Sequence, residues 1–155
     1  LLFLATLGSA SLLGGAFLFE ILGYEPCRMC IWQRWPHAVA IAIGIVALAG
    51  LAPRSSAWVG AVAAATTAAI GFYHAGVEIG WVPGPSSCTG GGTLAGLSGS
   101  DLLSTEIGEA VVMCDEVAWS FLGLSMAAWN GVLSLALAAL WVGAARRHGA
   151  SLAAA

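Results

Sequence analysis

Long uncharged runs alternate with short polar connections along this chain, and that alternation sets its architecture. Leu1–Phe19 carries no charged residue, and Trp35–Ala52 has neither acid nor arginine. Ala57–Val77 is interrupted only by His74, and Val117–Ala145 is uncharged throughout. A hydrocarbon core is crossed by about 20 apolar residues in a helix. Backbone groups inside it must pair within their own segment, so each run predicts a helix. The last run exceeds what a crossing needs, and its first part is expected at the interface. The pattern predicts an all-α membrane protein, a four-transmembrane-helix bundle forming one domain over 1–155. Its spans are expected near 1–22, 31–52, 57–76 and 120–145, with outward loops at 23–30 and 77–119. An even number of crossings leaves both termini on the opposite side.

The runs differ in texture. Leu1–Phe19 also resembles the apolar part of a signal peptide, but no basic leader is visible and its length suits a span. Because the chain begins at Leu1 and not Met, an N-terminal segment before it is expected. Gly8, Ser9, Ser11, Gly14 and Gly15 in the first run, and Ala61, Ala63, Ala64, Ala65, Ala68 and Ala69 in the third, let membrane helices approach closely. The third run ends in Phe72-Tyr73-His74, aromatics suited to an interface. A histidine there is costly unless water, a ligand or a partner satisfies it. The second loop opens with Pro83-Gly84-Pro85 and is glycine-rich after Cys88. Ser98 to Asp101 then fits a helix start. Leu102, Leu103, Ile107, Ala110 and Val111 would form the apolar side of a short interfacial helix lying on the membrane.

Composition agrees with the runs: 59% of residues are hydrophobic, 8% are charged, and the mean hydropathy is +0.91. A soluble domain is roughly a quarter charged. The net charge of −3 gives no reason to expect nucleic acid. There is no lysine, so orientation rests on arginine. Arg54, Arg146 and Arg147 fall on the face of the termini, which the positive-inside rule makes cytoplasmic, against Arg28 and Arg34 on the other. Cys27, Cys30, Cys88 and Cys114 all lie in the two outward loops, where a disulfide-permissive compartment is expected.

The chemistry concentrates in Glu25-Pro26-Cys27-Arg28-Met29-Cys30-Ile31-Trp32-Gln33-Arg34. A Cys-x-x-Cys ring is too small to restrain much unfolded-chain entropy, so it makes a poor staple. As two thiols that open and close it is well built, since each can resolve a mixed disulfide on the other. Arg34 stands one helical turn beyond Cys30, on the same face. Three pairings of four cysteines remain open. Zinc would want a second close pair or histidines at ligand spacing, and His74 and His148 fall on opposite faces; no metal is expected. Cys88 and Cys114 enclose a loop long enough for a purely structural bond. Two static disulfides in a membrane scaffold are the non-enzymatic alternative.

Taken together, Cys27-x-x-Cys30-x-x-x-Arg34, His74 ahead of the second loop, Cys88 within it, and Cys114-Asp115-Glu116-x-x-Trp119-x-Phe121-Leu122-Gly123-Leu124-x-Met126 resemble the DsbB family of bacterial inner-membrane disulfide bond formation proteins. Ala127 departs from the proline expected after that methionine. Vitamin K epoxide reductase-like proteins share the four-helix plan, but would want a Cys-x-x-Cys deep in a late span, and the last run has no cysteine. The resemblance implies a multi-pass protein of the inner membrane with periplasmic cysteine loops and cytoplasmic termini. It implies a thiol:quinone oxidoreductase that reoxidises a periplasmic DsbA-like thiol oxidase and passes electrons to the membrane quinone pool, ubiquinone or menaquinone. Cys88–Cys114 would exchange with the partner through Cys88, Cys114 would exchange with Cys27, and Cys30 would face a quinone held near Arg34 and His74. A relative dedicated to one partner is the enzymatic alternative.

Overall fold

A computed structural model of the chain describes residues 1–51, 56–86, 88 and 112–153, with side chains described through 147. Four long helices carry the structure: α1 (Leu2–Ile21), α2 (Arg28–Leu48), α3 (Ser56–Glu78) and α4 (Met126–Ala153). Each contains a stretch long and apolar enough to cross a membrane, in α4 over Met126–Arg147. α3 packs most extensively on α4 and then on α2, and α1 closes the bundle against α2 and α4. The interfacial helix expected near 101–111 lies outside the described residues.

The interior is made of small side chains, as a bundle in lipid requires. Apolar tails outside compete with apolar tails inside, so association depends on close packing and not on escape from water. Ala57, Ala61, Ala64 and Ala68 of α3 are buried, whereas Phe3, Leu7, Ile45, Val62 and Leu135 face outward. Two glycines set how near the axes come. A Cβ on Gly71 would stand 2.8 Å from the backbone nitrogen of Gly131, where α3 and α4 cross. A Cβ on Gly60 would meet the ring of fully buried Trp141 at 2.5 Å. Polar residues also point inward: Ser9, Gln33, His37, Thr67, His74 and Ser134 are all buried.

Both ends of two expected spans move: α2 closes at Leu48, short of 52, α4 runs to Ala153, past 145, and both starts shift as well. α2 starts at Arg28, earlier than 31, because Cys27 itself caps it: the Cys30 backbone N–H donates to Cys27 Sγ at 3.2 Å. Pro36 lies inside that helix without ending it. The last span starts at Met126, later than 120, because the residues before it turn back on themselves. Two short strands, β1 (Ser120–Phe121) and β2 (Leu124–Ser125), pair antiparallel, with Ser120 opposite Ser125 and Phe121 opposite Leu124. The turn is Leu122-Gly123, both at positive φ (51° and 79°), the two-residue geometry that matches strand twist. Ser125 then caps α4, accepting from the Ala128 N–H at 3.1 Å.

Candidate functional site: sulfurs above a polar seam

The start of α2, the end of α3 and the segment around 112–125 converge on one place. Cys27, Met29, Val77, Cys88 and Cys114 form a buried cluster, with Cys30 and Val112 packed on its edge. Cys88 and Cys114 are joined in a disulfide, Cα to Cα 5.3 Å, whereas Cys27 and Cys30 are free thiols. The pairing left open by the sequence is thus resolved in favour of one long-range bond and one close dithiol. Sγ of Cys27, Sγ of Cys114 and a ring nitrogen of His74 lie within 4.8 Å of one another. Spacing along the chain could not reveal this trio, since residues 27, 74 and 114 meet only through the bundle.

The surroundings of Cys27 favour its thiolate form. Its sulfur lies 2.9 Å from Cys30 Sγ and 3.5 Å from His74 Nε2, besides the Cys30 N–H already described. The Cys30 hydrogen bond, helped by His74 and opposed by burial, lowers the Cys27 thiol from its ordinary value of 9.0 to about 4. A thiolate is the form that attacks a disulfide.

A cavity of about 410 Å³ opens beside these sulfurs, lined by Cys27, Cys30, Arg34, His37 and His74 on its polar side. Phe19, Tyr24, Trp119, Phe121 and Trp129 border it too, and their rings contact in a chain with centroids 5.2 to 6.5 Å apart. The Trp129 Nε1–H ties this wall to the hairpin by donating to the Phe121 carbonyl at 2.9 Å. Arg34 lies over the Phe17 ring at 4.7 Å and is paired with Glu20, Nη1 to Oε2 2.6 Å. Its Nε–H is buried with no hydrogen-bond partner among the described residues.

Every candidate residue therefore reaches the site, but not every one is exposed as its expected role implies. Cys88 is only 2% exposed, so a protein partner must uncover it before sulfurs can touch. Five further residues belong here that sequence reasoning did not select. Gln33 contacts His74, Asn130 and Thr67 extend that contact across the bundle, Glu78 faces His74 at 3.9 Å, and Glu20 holds Arg34. The signal for Gln33 and Glu78 was present, since polar residues near a helix end in a membrane protein need a partner. Nothing in one sequence marked Asn130, which lies on the far helix.

Comparison with known proteins fits this geometry. Residues 1–144 match the family model described as Disulfide bond formation protein DsbB. The chain is 36% identical over 152 residues to Disulfide bond formation protein B of Verminephrobacter eiseniae, covering 86% of this chain and 81% of that one. It is 35% identical to the protein of that name from Xanthomonas axonopodis pv. citri, covering 90% and 87%. No solved structure gives a significant match. A four-cysteine, four-helix membrane chain that matches this family over nearly its whole length belongs to the DsbB family of disulfide bond formation proteins.

Proposed function

We propose that the protein is a thiol:quinone oxidoreductase of the bacterial inner membrane, which reoxidises a periplasmic DsbA-like thiol oxidase and delivers the electrons to ubiquinone or menaquinone. The observation that carries this reading is the nearness of the two cysteine pairs: Cys27 Sγ lies within 4.8 Å of Cys114 Sγ, beside the cavity that Cys30 and Arg34 line. Thiol–disulfide exchange needs sulfur to meet sulfur, and here the neighbouring sulfurs come from different loops.

The partner's thiolate attacks Cys88, forming a mixed disulfide and releasing Cys114 as the leaving thiolate. The partner's second thiol then displaces Cys88, and the partner leaves oxidised, having given up two electrons and two protons. When Cys27 and Cys30 are themselves joined, the Cys114 thiolate attacks Cys27 and frees Cys30. Cys88 resolves the Cys27–Cys114 bond, which restores Cys88–Cys114 and leaves Cys27 and Cys30 as the dithiol.

The cavity suits a quinone by its own features. It is flanked by aromatic rings, sits at the end of membrane-spanning helices, and is lined by Arg34, whose buried Nε–H lacks a partner among the described residues. A bound quinone supplies an acceptor for two electrons and two protons. Arg34 would donate to a carbonyl oxygen there and stabilise developing negative charge, and Cys30 would face the ring. The Arg and Cys residues of the outward loops would then face the periplasm, with both termini cytoplasmic.

The test is quinone reduction by purified protein in detergent, driven by a reduced thioredoxin-fold thiol oxidase, with free thiols counted and any co-purified quinone identified after solvent extraction. Loss of turnover in each of Cys27→Ser, Cys30→Ser, Cys88→Ser and Cys114→Ser is expected. Cys114→Ser should trap the partner on Cys88. Turnover that survives removal of Cys27 and Cys30, or a Cys27–Cys30 pair that never titrates with quinone, would return the cysteines to a static role.

A further inference from the structure

Beneath the sulfurs runs a seam of hydrogen bonds whose direction can be read from its ends. Two backbone carbonyls anchor it, and a carbonyl can only accept. Gln33 Nε2 donates to the Met29 carbonyl at 3.2 Å, and the Thr67 hydroxyl donates to the Gln33 carbonyl at 3.1 Å. With its proton used there, Thr67 Oγ1 accepts from Asn130 Nδ2 at 3.3 Å, so Asn130 turns Oδ1 toward His37 Nε2 at 3.0 Å. Asn130 Nδ2 also donates to Gln33 Oε1 at 2.6 Å. The Gln33 amide is thereby oriented: oxygen toward Asn130, nitrogen toward Met29 and toward His74 Nδ1 at 3.0 Å. Turned over, it would set oxygen against the Met29 carbonyl and NH₂ against NH₂. Amide orientation is decided by the network around it, and this network has one consistent direction.

We propose that Gln33 is a positioning residue: by offering His74 Nδ1 a donor it makes that nitrogen an acceptor, places the ring proton on Nε2, and keeps His74 as a neutral donor to Cys27. An imidazolium would need an acceptor at Nδ1, and the Gln33 amide presents a proton there instead. The Cys27 thiolate is then held by three donors, the Cys30 thiol, the Cys30 backbone N–H and His74 Nε2–H, none of them a full cation.

Other ionisable groups face the ring from each side. On α3 itself Glu78 stands 3.9 Å from Nε2 and accepts from the Ser125 hydroxyl. Cys27 comes from the cap of α2, and Cys30, Arg34 and His37 of α2 line the same cavity. Cys114 lies across from it in its disulfide, while Glu25 and Glu116 border the cavity further out. Glu78 favours a second proton on the ring, and Gln33 opposes it. The Ser125 hydroxyl blunts Glu78 by occupying one of its oxygens.

This role rests on Cys27 being a working sulfur, as proposed above, but its test needs neither quinone nor thiol partner, so the two readings fail separately. Nitrogen NMR of the histidine rings in the Cys27–Cys30 dithiol form should show His74 neutral at neutral pH with its proton on Nε2. The rate of Cys27 alkylation by iodoacetamide, resolved by peptide mass spectrometry, should rise once with pH and then stay level. In Gln33→Glu the carboxylate accepts from Nδ1–H and lets the ring hold both protons, so a second, falling limb should appear as that proton leaves. In Gln33→Met the ring is free to turn its proton to Nδ1, and the rise should move toward alkali by about one pH unit, the effect of losing one hydrogen bond to a charge. A doubly protonated or Nδ1–H ring in the unmodified protein overturns the proposal without any variant. So does a Gln33→Met profile identical to that of the unmodified protein, which would make Gln33 a space-filler.

Discussion

Arg34 illustrates how one residue's neighbours redefine its task. The sequence placed it on the face of Cys30, free to meet a quinone. In the fold its Nη1 is committed to Glu20 at 2.6 Å, and the Nε–H is what remains unpartnered. The ion pair fixes the planar fork, and its Nε–H has no partner among the described residues, an arrangement a lysine could not reproduce. Arg34→Ala is expected to lower quinone kcat/KM by about a hundredfold, the usual cost of a lost charge-stabilising donor. Arg34→Lys should keep part of the activity. Glu20→Gln should raise the quinone KM while exchange between the thiol partner and Cys88–Cys114 stays normal, measured by partner oxidation without quinone. Wild-type quinone kinetics in Arg34→Ala would return the residue to anchoring at the interface. The Cys27 thiol gives a pH prediction of known sign. With its ionisation lowered to about 4, the thiolate is present throughout the neutral range and is lost only as pH falls through that value. Cys27 alkylation should therefore change little between weakly acidic and weakly alkaline buffer, whereas a free cysteine's would climb steadily.

At the level of helices, the spans were legible because lipid allows few alternatives: an uncharged run of sufficient length has to be a helix. Their ends were less so. The early start of α2 depended on a cysteine acting as a cap, a task usually given to Ser, Thr, Asp or Asn. The hairpin before α4 hid inside a run read as continuous, because Leu122 at positive φ carries no composition signal. The site was legible to the extent that its chemistry is written in residue type, as with the four cysteines, Arg34 and His74. Asn130 and Thr67 were not, since their value comes from a partner on another helix. The α3–α4 crossing offers a direct check. Gly71→Leu drives a side chain into the Gly131 backbone and should destabilise the bundle by about 1–3 kcal/mol or more, the scale of overpacking. Gly14→Leu, where nothing lies within 4 Å of the added Cβ, should cost far less. Thermal unfolding in one detergent compares the two, and equal midpoints would show that the crossing tolerates separation.

For the molecule as a whole, the proposed orientation rests on the placement of charge and sulfur together. If both termini are cytoplasmic, an impermeant thiol reagent applied to intact cells after reduction and unfolding of the loops should label Cys27, Cys30, Cys88 and Cys114. Labelling that appears only after permeabilisation would invert the topology. One polar level of the interior lies next to the cysteines. Gln33, Thr67, His74 and Asn130 meet just below the sulfurs, while the alanine and Trp141 contacts occupy another part of the bundle. Gln33, Thr67, His74 and Asn130 are each hydrogen-bonded to one another or to His37, which is how a membrane interior tolerates them.

The cap of α2 has one consequence of its own. Cys27 caps the start of a helix, and in the proposed cycle its sulfur also changes partners, which would make the secondary structure itself a reactant. As a thiolate it is a strong acceptor for the Cys30 amide; joined to Cys30 or Cys114 it is a weak one. Each catalytic cycle should then loosen and retighten the first turn of a transmembrane helix, and the amide proton of Cys30 becomes a gauge of redox state. Its exchange with deuterium should be slow in the dithiol form and faster once Cys27 is oxidised, while amides deep in α2 keep one rate throughout.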